Sequence, residues 1–154
     1  MKLSTKGRYG LRAIFDIAYN SGTQPAQVQD ISRRQGISPR YLEQIFQGLK
    51  RAGILKSKRG PQGGYCLAKK PEEITVADVL LATERDIQLV DCVSKRKKRG
   101  ECAIDGACVT QELWNEAGKR LVDYFSGITI KDLCERGQSL GIKREQDHRF
   151  MYFI

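Results

Sequence analysis

Apolar residues recur at helical spacing through Leu11, Ile14, Phe15 and Ala18, which predicts an amphipathic helix over about residues 5–20 with Ser4 or Thr5 as its cap. Gly22 and Pro25 break the run. The next stretch carries Val28, Ile31 and the basic pair Arg33 and Arg34, and predicts a short helix ended by Gly36. Ser38 followed by Pro39 reads as an N-cap with proline at the first helical position, and Leu42, Ile45, Phe46 and Leu49 make the apolar stripe of a third helix. Two helices across a tight glycine turn form a helix-turn-helix. Beyond Gly53 short strand-like pieces, 54–58 and 64–68, flank a Gly-Pro-Gln-Gly-Gly turn, which predicts a hairpin wing with Arg59 at its tip.

The pattern then returns to helix. TVADVLLAT, 75–83, has capping and apolar spacing for a helix, with Asp78 in its first turn. The stretch around Cys92, Cys102 and Cys108 has no regular period and reads as a loop. Helical spacing resumes through Leu113, Trp114, Ala117, Leu121, Tyr124 and Phe125, predicting one long helical run over 109–135. That stripe is too apolar to face water, so a symmetric homodimer packed through this helix is expected. From Gln138 onward the chain is polar until a final FMYFI, a tail expected to be disordered until it meets a partner surface. The fold class is mainly α with a small β-hairpin wing. Its expected parts are a winged helix-turn-helix at 1–74, dimerisation helices with a cysteine loop (92–108) at 75–135, and a tail at 136–154.

Length and charge narrow the function. At 154 residues the chain has room for one ordinary domain or two small ones, not two independent enzymes. Residues 1–70 carry 14 Lys and Arg against Asp16, Asp30 and Glu43, a net of +11, whereas 71–154 are slightly acidic at −2. The basic half is the expected electrostatic footprint of a polyanion such as DNA. No apolar run is long enough for a membrane span and no signal peptide is evident, so the expected location is the cytoplasm, with no membrane partner. One histidine and no GxSxG, HExxH or P-loop argue against an enzyme.

Two constellations carry chemistry. On the second helix of the helix-turn-helix, Ser38, Arg40, Tyr41 and Gln44 are the expected exposed residues: Arg40 suits guanine, Gln44 adenine, and Ser38 or Tyr41 phosphate. Arg59 at the wing tip suits a narrow minor groove. For any single one of these a merely solvated side chain is about as good an explanation; for the module as a whole DNA binding is favoured. The second constellation is Cys92, nine residues, Cys102, five residues, Cys108. Three thiols in one loop suit a soft metal or an iron-sulfur cluster, and cytosolic conditions disfavour disulfides. The bland alternative is three ordinary thiols. Short CxxC pairs are absent, so a zinc ribbon fits poorly. Cys66 and Cys134 read as small buried hydrophobes, and His148 as a solvated tail residue. The run Lys95–Arg99 reads as a solvated loop surface, with DNA contact or activation of neighbouring thiols as alternatives.

These residues resemble the IscR-like transcription regulators, a group that includes NsrR-like nitric-oxide sensors and CymR-like cysteine regulators. The stretches that carry the resemblance are MKLSTKGRYGLRA, DISRRQGISPRYLEQIFQGLKRAGIL, RGPQGGYCLAK and ITVADVL. It continues through the three cysteines, Leu113-Trp114 and ITIKDL, about residues 1–135 in all. It implies a winged helix-turn-helix homodimer joined by a long helix, with Cys92, Cys102 and Cys108 holding an iron-sulfur cluster, 2Fe-2S favoured over 4Fe-4S, that controls promoter binding. The sequence departs from that pattern twice. The insert SKRKKRG lengthens the first cysteine spacing, and Gln111 stands where IscR-like proteins have a histidine ligand. Asp105, Glu112, Cys134, His148 and an exogenous ligand are the substitutes to weigh. Arg8 occupies the position of a cluster-ligating aspartate in some NsrR-like members, which argues against that subgroup. The implied function is a repressor sensing cluster status at genes of cluster assembly or iron and sulfur metabolism, with operator DNA and cluster-assembly proteins as partners. The alternatives are a redox or nitric-oxide regulator using the same thiols, or a cofactor-free CymR-like regulator answering to a protein partner.

Overall fold

The structure, a computed structural model, describes residues 4–84, 87–93, 104 and 107–145. Helix α1, Thr5–Asp16, starts at Ser4, whose hydroxyl accepts from the amides of Lys6 and Gly7, and ends in a wider π-helical turn, Ile17–Ser21. The predicted span is therefore occupied, with its last turn unwound to a looser pitch. Helix α2, Val28–Gln35, stops at Gly36, whose φ of +64° is the left-handed conformation expected of a helix-ending glycine. Helix α3, Pro39–Arg51, is capped by Ser38 and completes the helix-turn-helix.

Strands β1, Leu55–Lys58, and β2, Gly64–Leu67, pair antiparallel with Leu55 opposite Leu67 and Lys58 opposite Gly64. The hairpin is pinned from its other edge as well: Ala26 and Tyr65 exchange both backbone hydrogen bonds at 2.8 Å. A short 3₁₀ turn, Pro71–Glu73, leads to α4, Val76–Thr83, whose cap is a reciprocal pair between Thr75 and Asp78.

The second half differs from its expected form at two places: the helical run is broken, and the part expected as a disordered tail stays helical to Ser139 and is then bonded to Tyr19 and Asn20 through residues 142 and 145. Residues 109–135 are two helices, α5, Val109–Ser126, and α6, Ile130–Ser139. The break has a local cause: Thr129 and Asp132 form a second capping box, and residues 128–130 leave the helix to pair with the strand-like segment ahead of α4, Val76 N–H donating to the Ile128 carbonyl at 2.8 Å and Ile130 N–H to that of Ile74 at 2.9 Å.

One core joins these elements. Ile14, Ile17, Ile31, Leu42, Ile45, Phe46 and Leu49 of the helix-turn-helix are buried together with Val79 of α4 and Ile130 of α6. Helix α4 sits unusually close to α1 and α3. A Cβ on Gly48 would lie 2.8 Å from the Ala82 carbonyl oxygen and one on Gly10 2.7 Å from the Thr83 methyl, so only glycine allows this approach. A smaller cluster, Val76, Leu80 and Ile87, packs against Val122 and Phe125 on one side of α5.

Candidate nucleic-acid interface and cysteine loop

Ser38 begins α3: its hydroxyl accepts from Tyr41 N–H at 3.3 Å and the residue stays exposed. Arg40 and Gln44 are exposed and four residues apart, hence on one face of α3, with Glu43 and Gln47 beside them. Tyr41 differs from its expected exposure. It is half-buried, packs against the core and meets Tyr9 edge to face, ring centroids 6.0 Å apart, so it anchors α3 on α1.

The wing is held by both its faces and its turn. Tyr65 packs its ring on Phe46 with centroids 4.6 Å apart, and Lys50 at the end of α3 donates to Ser57 Oγ at 3.1 Å. Burial, and then the charge of Glu43, hold the Tyr65 hydroxyl above the ordinary tyrosine range. At Gly64 a Cβ would lie 2.3 Å from the Ala26 carbonyl oxygen, which explains why the wing needs glycine there. Arg59 follows β1 in the exposed turn, beside exposed Lys58, Pro61 and Gln62.

Sequence reasoning did not single out Asp16. Fully buried, it accepts from Arg34 Nη2 at 2.7 Å and Nε at 3.0 Å, from Gln35 Nε2 at 2.8 Å and from Asn20 Nδ2 at 3.1 Å. Arg12 in turn donates to the Gln35 side chain and carbonyl. This network fixes α2 on α1 and so sets the pose of the helix-turn-helix. The available signal was an acidic residue on the apolar stripe of a strongly basic segment, one turn after Ala13 and next to Ile17.

Of the cysteine loop, Cys92 and Cys108 are described, while Cys102, Lys95–Arg99, Asp105 and His148 lie outside the described residues. Cys92 belongs to a 3₁₀ turn, Asp91–Val93, that packs on α5. Cys108 is the residue before α5, its Sγ 3.2 Å from Thr110 Oγ1, and both cysteines are half-buried. Gln111 and Glu112 stand in the first turn of α5, the Gln111 amide donating to the Cys108 carbonyl at 3.1 Å. Cys134 belongs elsewhere: it packs from α6 against the main core, burial raises its thiol pKa, and among the described residues no three His, Cys, Asp or Glu side chains gather at one point. Cys66 is buried in β2.

Helix α5 keeps much of its apolar stripe in solvent: Val109, Leu113 and Tyr124 are all more than half exposed. No helix among the described residues is long and apolar enough to cross a membrane.

Comparison with known proteins agrees with this architecture over nearly the whole chain. Residues 3–136 match the Rrf2 family model, described as iron-dependent transcriptional regulators. The chain is 39% identical over 149 residues to the transcriptional regulator IscR of an Enterobacter species, covering 96% of this chain and 89% of the relative. The IscR of Vibrio campbellii is 38% identical over 147 residues, 96% of this chain and 85% of the relative. Among solved structures, T. potens IscR is 32% identical with a TM-score of 0.71 and 94% of each chain covered. CymR, the global cysteine regulator of B. subtilis, also gives 32% and 0.71, covering 88% of this chain and 98% of its own. The relatives are transcription regulators, not enzymes, and they share the helix-turn-helix and wing seen here. The protein is thus a DNA-binding transcription regulator, and the chain belongs to the Rrf2 family of iron-dependent transcriptional regulators.

Proposed function

We propose that the protein is a cytoplasmic homodimeric repressor that senses iron-sulfur status and acts on genes for cluster assembly or for iron and sulfur metabolism. The observation that carries this reading is the placement of Cys92 and Cys108. One sits in a turn packed on α5 and the other immediately precedes it, at the two ends of the segment that contains Cys102. Thiolates are the donors that iron-sulfur clusters prefer, three of them supplied here, and the positive end of a helix favours an anionic group beside it. A bound cluster, 2Fe-2S in this reading, would be held by Cys92, Cys102 and Cys108 and would supply a redox-responsive, oxygen-labile group. Gln111, an amide where IscR-like proteins carry an imidazole, makes the fourth ligand position weak, which suits a labile sensor.

The chain's own residues do the reading. In this proposal Arg40 and Gln44 meet guanine and adenine edges in the major groove. Ser38 and Tyr41 face phosphate, Tyr41 from a ring already fixed against Tyr9, and Arg59 enters the minor groove. The unpartnered stripe of α5 joins two copies, so that two heads engage half-sites one or more DNA turns apart. Cluster-assembly proteins are the natural source of the cofactor.

Anaerobic purification with visible absorption, iron and sulfide analysis, and operator binding tests the reading, with Cys102→Ala in parallel. Cysteine-dependent colour, stoichiometric iron and sulfide, and operator affinity that changes with loading are expected. A colourless protein that cannot be reconstituted would overturn cluster sensing, leaving thiol oxidation or a protein partner as the signal.

A further inference from the structure

The segment after α6 folds back onto the reading head. Gly141, at φ +69°, reverses the chain, and Ile142 N–H donates to the Gly137 carbonyl at 3.1 Å. Tyr19 Oη then donates to the Ile142 carbonyl at 2.6 Å, and the Arg144 guanidinium lies 4.9 Å from the centre of the Tyr19 ring. Glu145 N–H donates to Asn20 Oδ1 at 2.8 Å, while the Glu145 carboxylate meets Arg33 at 2.7 Å.

Asn20 is the joint of this arrangement. Its Nδ2 donates to Asp16, which holds Arg34 and Gln35, so residues 142–145 reach α2 by two routes: through Asn20 and Asp16, and directly through Arg33. Helix α2 needs such support. It has eight residues, its N-cap Gln27 provides no side-chain bond, and Ile31 is its one fully buried side chain. A helix of two turns is not stable by itself, so its pose depends on what holds its ends. The π-helical turn at the end of α1 presents both contact residues, Tyr19 and Asn20.

We propose that residues 141–145 are a strap that fixes α2 on α1 and thereby preorganises the helix-turn-helix for DNA. Since the strap continues directly from α6, a shift of that helix is felt at the reading head. The inference rests on the DNA-binding assignment and is independent of any cofactor.

Tyr19→Phe and Glu145→Gln, singly and together in the full chain, test it. Tyr19→Phe removes the hydroxyl that holds Ile142 and keeps the ring stacked on Phe15, centroids 5.1 Å apart, and Glu145→Gln removes the charge that pairs with Arg33. For the pair, operator affinity at fixed salt is expected to fall about fivefold. Amides of α2 should exchange faster by a similar factor, with α3 and α4 protection and the melting temperature unchanged. Glu145→Gln removes one negative charge, which by itself tightens DNA binding, so weaker binding in that variant is direct support. Unchanged affinity in the pair would overturn the proposal. So would loss of protection spread evenly over the head, or tighter binding by Glu145→Gln beyond what its charge adds, which would make Glu145 a screen on Arg33 rather than a brace.

Discussion

The helix-turn-helix core and helix α5 are built on opposite terms. In the head, Ile14, Ile31, Leu42, Phe46 and Leu49 are sealed from water, α4 is seated at contact distances that exclude a Cβ, and Asp16 accepts from four donor atoms on three side chains. In α5, one side packs on Leu80 and Ile87 through Val122 and Phe125, while Leu113 and Tyr124 remain in solvent. The head is complete within one chain; α5 keeps part of its apolar stripe exposed, the part that the proposed dimer would cover. Substitutions of equal chemical size should therefore act on folding in the head and on assembly in α5.

The largest effect on folding is expected at Asp16. Asp16→Ala leaves the Arg34 guanidinium, itself nearly buried, without its counter-charge, which costs about 3–5 kcal/mol. Urea unfolding should show the loss, together with weakened operator binding, since α2 loses its anchor on α1. Stability within about 1 kcal/mol of the parent would show that the head tolerates an open network and would weaken the contrast with α5.

Gly48→Ala should follow at about 1–3 kcal/mol, because the added Cβ meets a backbone oxygen that cannot swing aside. In α5 the one glycine, Gly118, would bring its Cβ 2.9 Å from Gln88 Oε1, the end of a side chain rather than a backbone atom. Thermal unfolding distinguishes a clash at the α3–α4 contact from ordinary helix propensity: alanine raises propensity, so a fall in melting temperature reports the clash.

Thr129→Ala removes the cap of α6 and is expected to cost about 1 kcal/mol. The same cap is pH-dependent. Asp132 accepts from Thr129 N–H at 2.8 Å and from its hydroxyl at 2.7 Å, which lowers its carboxyl pKa below the ordinary value. Its folded pKa being the lower one, the cap contributes fully above the ordinary carboxylate range and is lost as pH falls through the folded value. Amide exchange in α6 should therefore speed up on acidification, and Asp132→Asn should flatten that response.

What the sequence made legible follows the range of the interactions involved. The helix-turn-helix, the hairpin and the caps at Ser38 and Thr75 depend on neighbours a few residues apart, and the glycine pattern around residues 60–64 specifies the turn directly. Arg40, Gln44 and Arg59 were separable as exposed residues by period and position alone. Tyr41 was not, because its burial comes from Tyr9 on another helix. The tail reads as polar and unstructured, yet residues 142–145 are ordered by Tyr19 and Asn20, partners 123 and 125 positions away that no local pattern encodes. The α5–α6 break was readable in principle, since Thr129-x-x-Asp132 is a capping signature, but an unbroken apolar period ran across it.

Leu113→Glu is expected to do least to the fold of a single chain and most to its assembly. Leu113 is 59% exposed, so a charge there enters water rather than a core, and the change in chain stability at low concentration should stay within about 0.5 kcal/mol. If α5 faces a second copy, each dimer buries Leu113 twice, and exchanging a leucine worth about 1.5–3 kcal/mol for a carboxylate at both positions is enough to separate a modest interface. Sedimentation should then give two copies for the parent and one for the variant. Operator affinity should drop as well, because a lone head engages one half-site and forgoes the high effective concentration that joins the second. A parent that sediments as a single copy at micromolar concentration would instead require the exposed stripe of α5 to be covered by a different protein, and the contrast with the head would become one between a self-contained module and a docking helix.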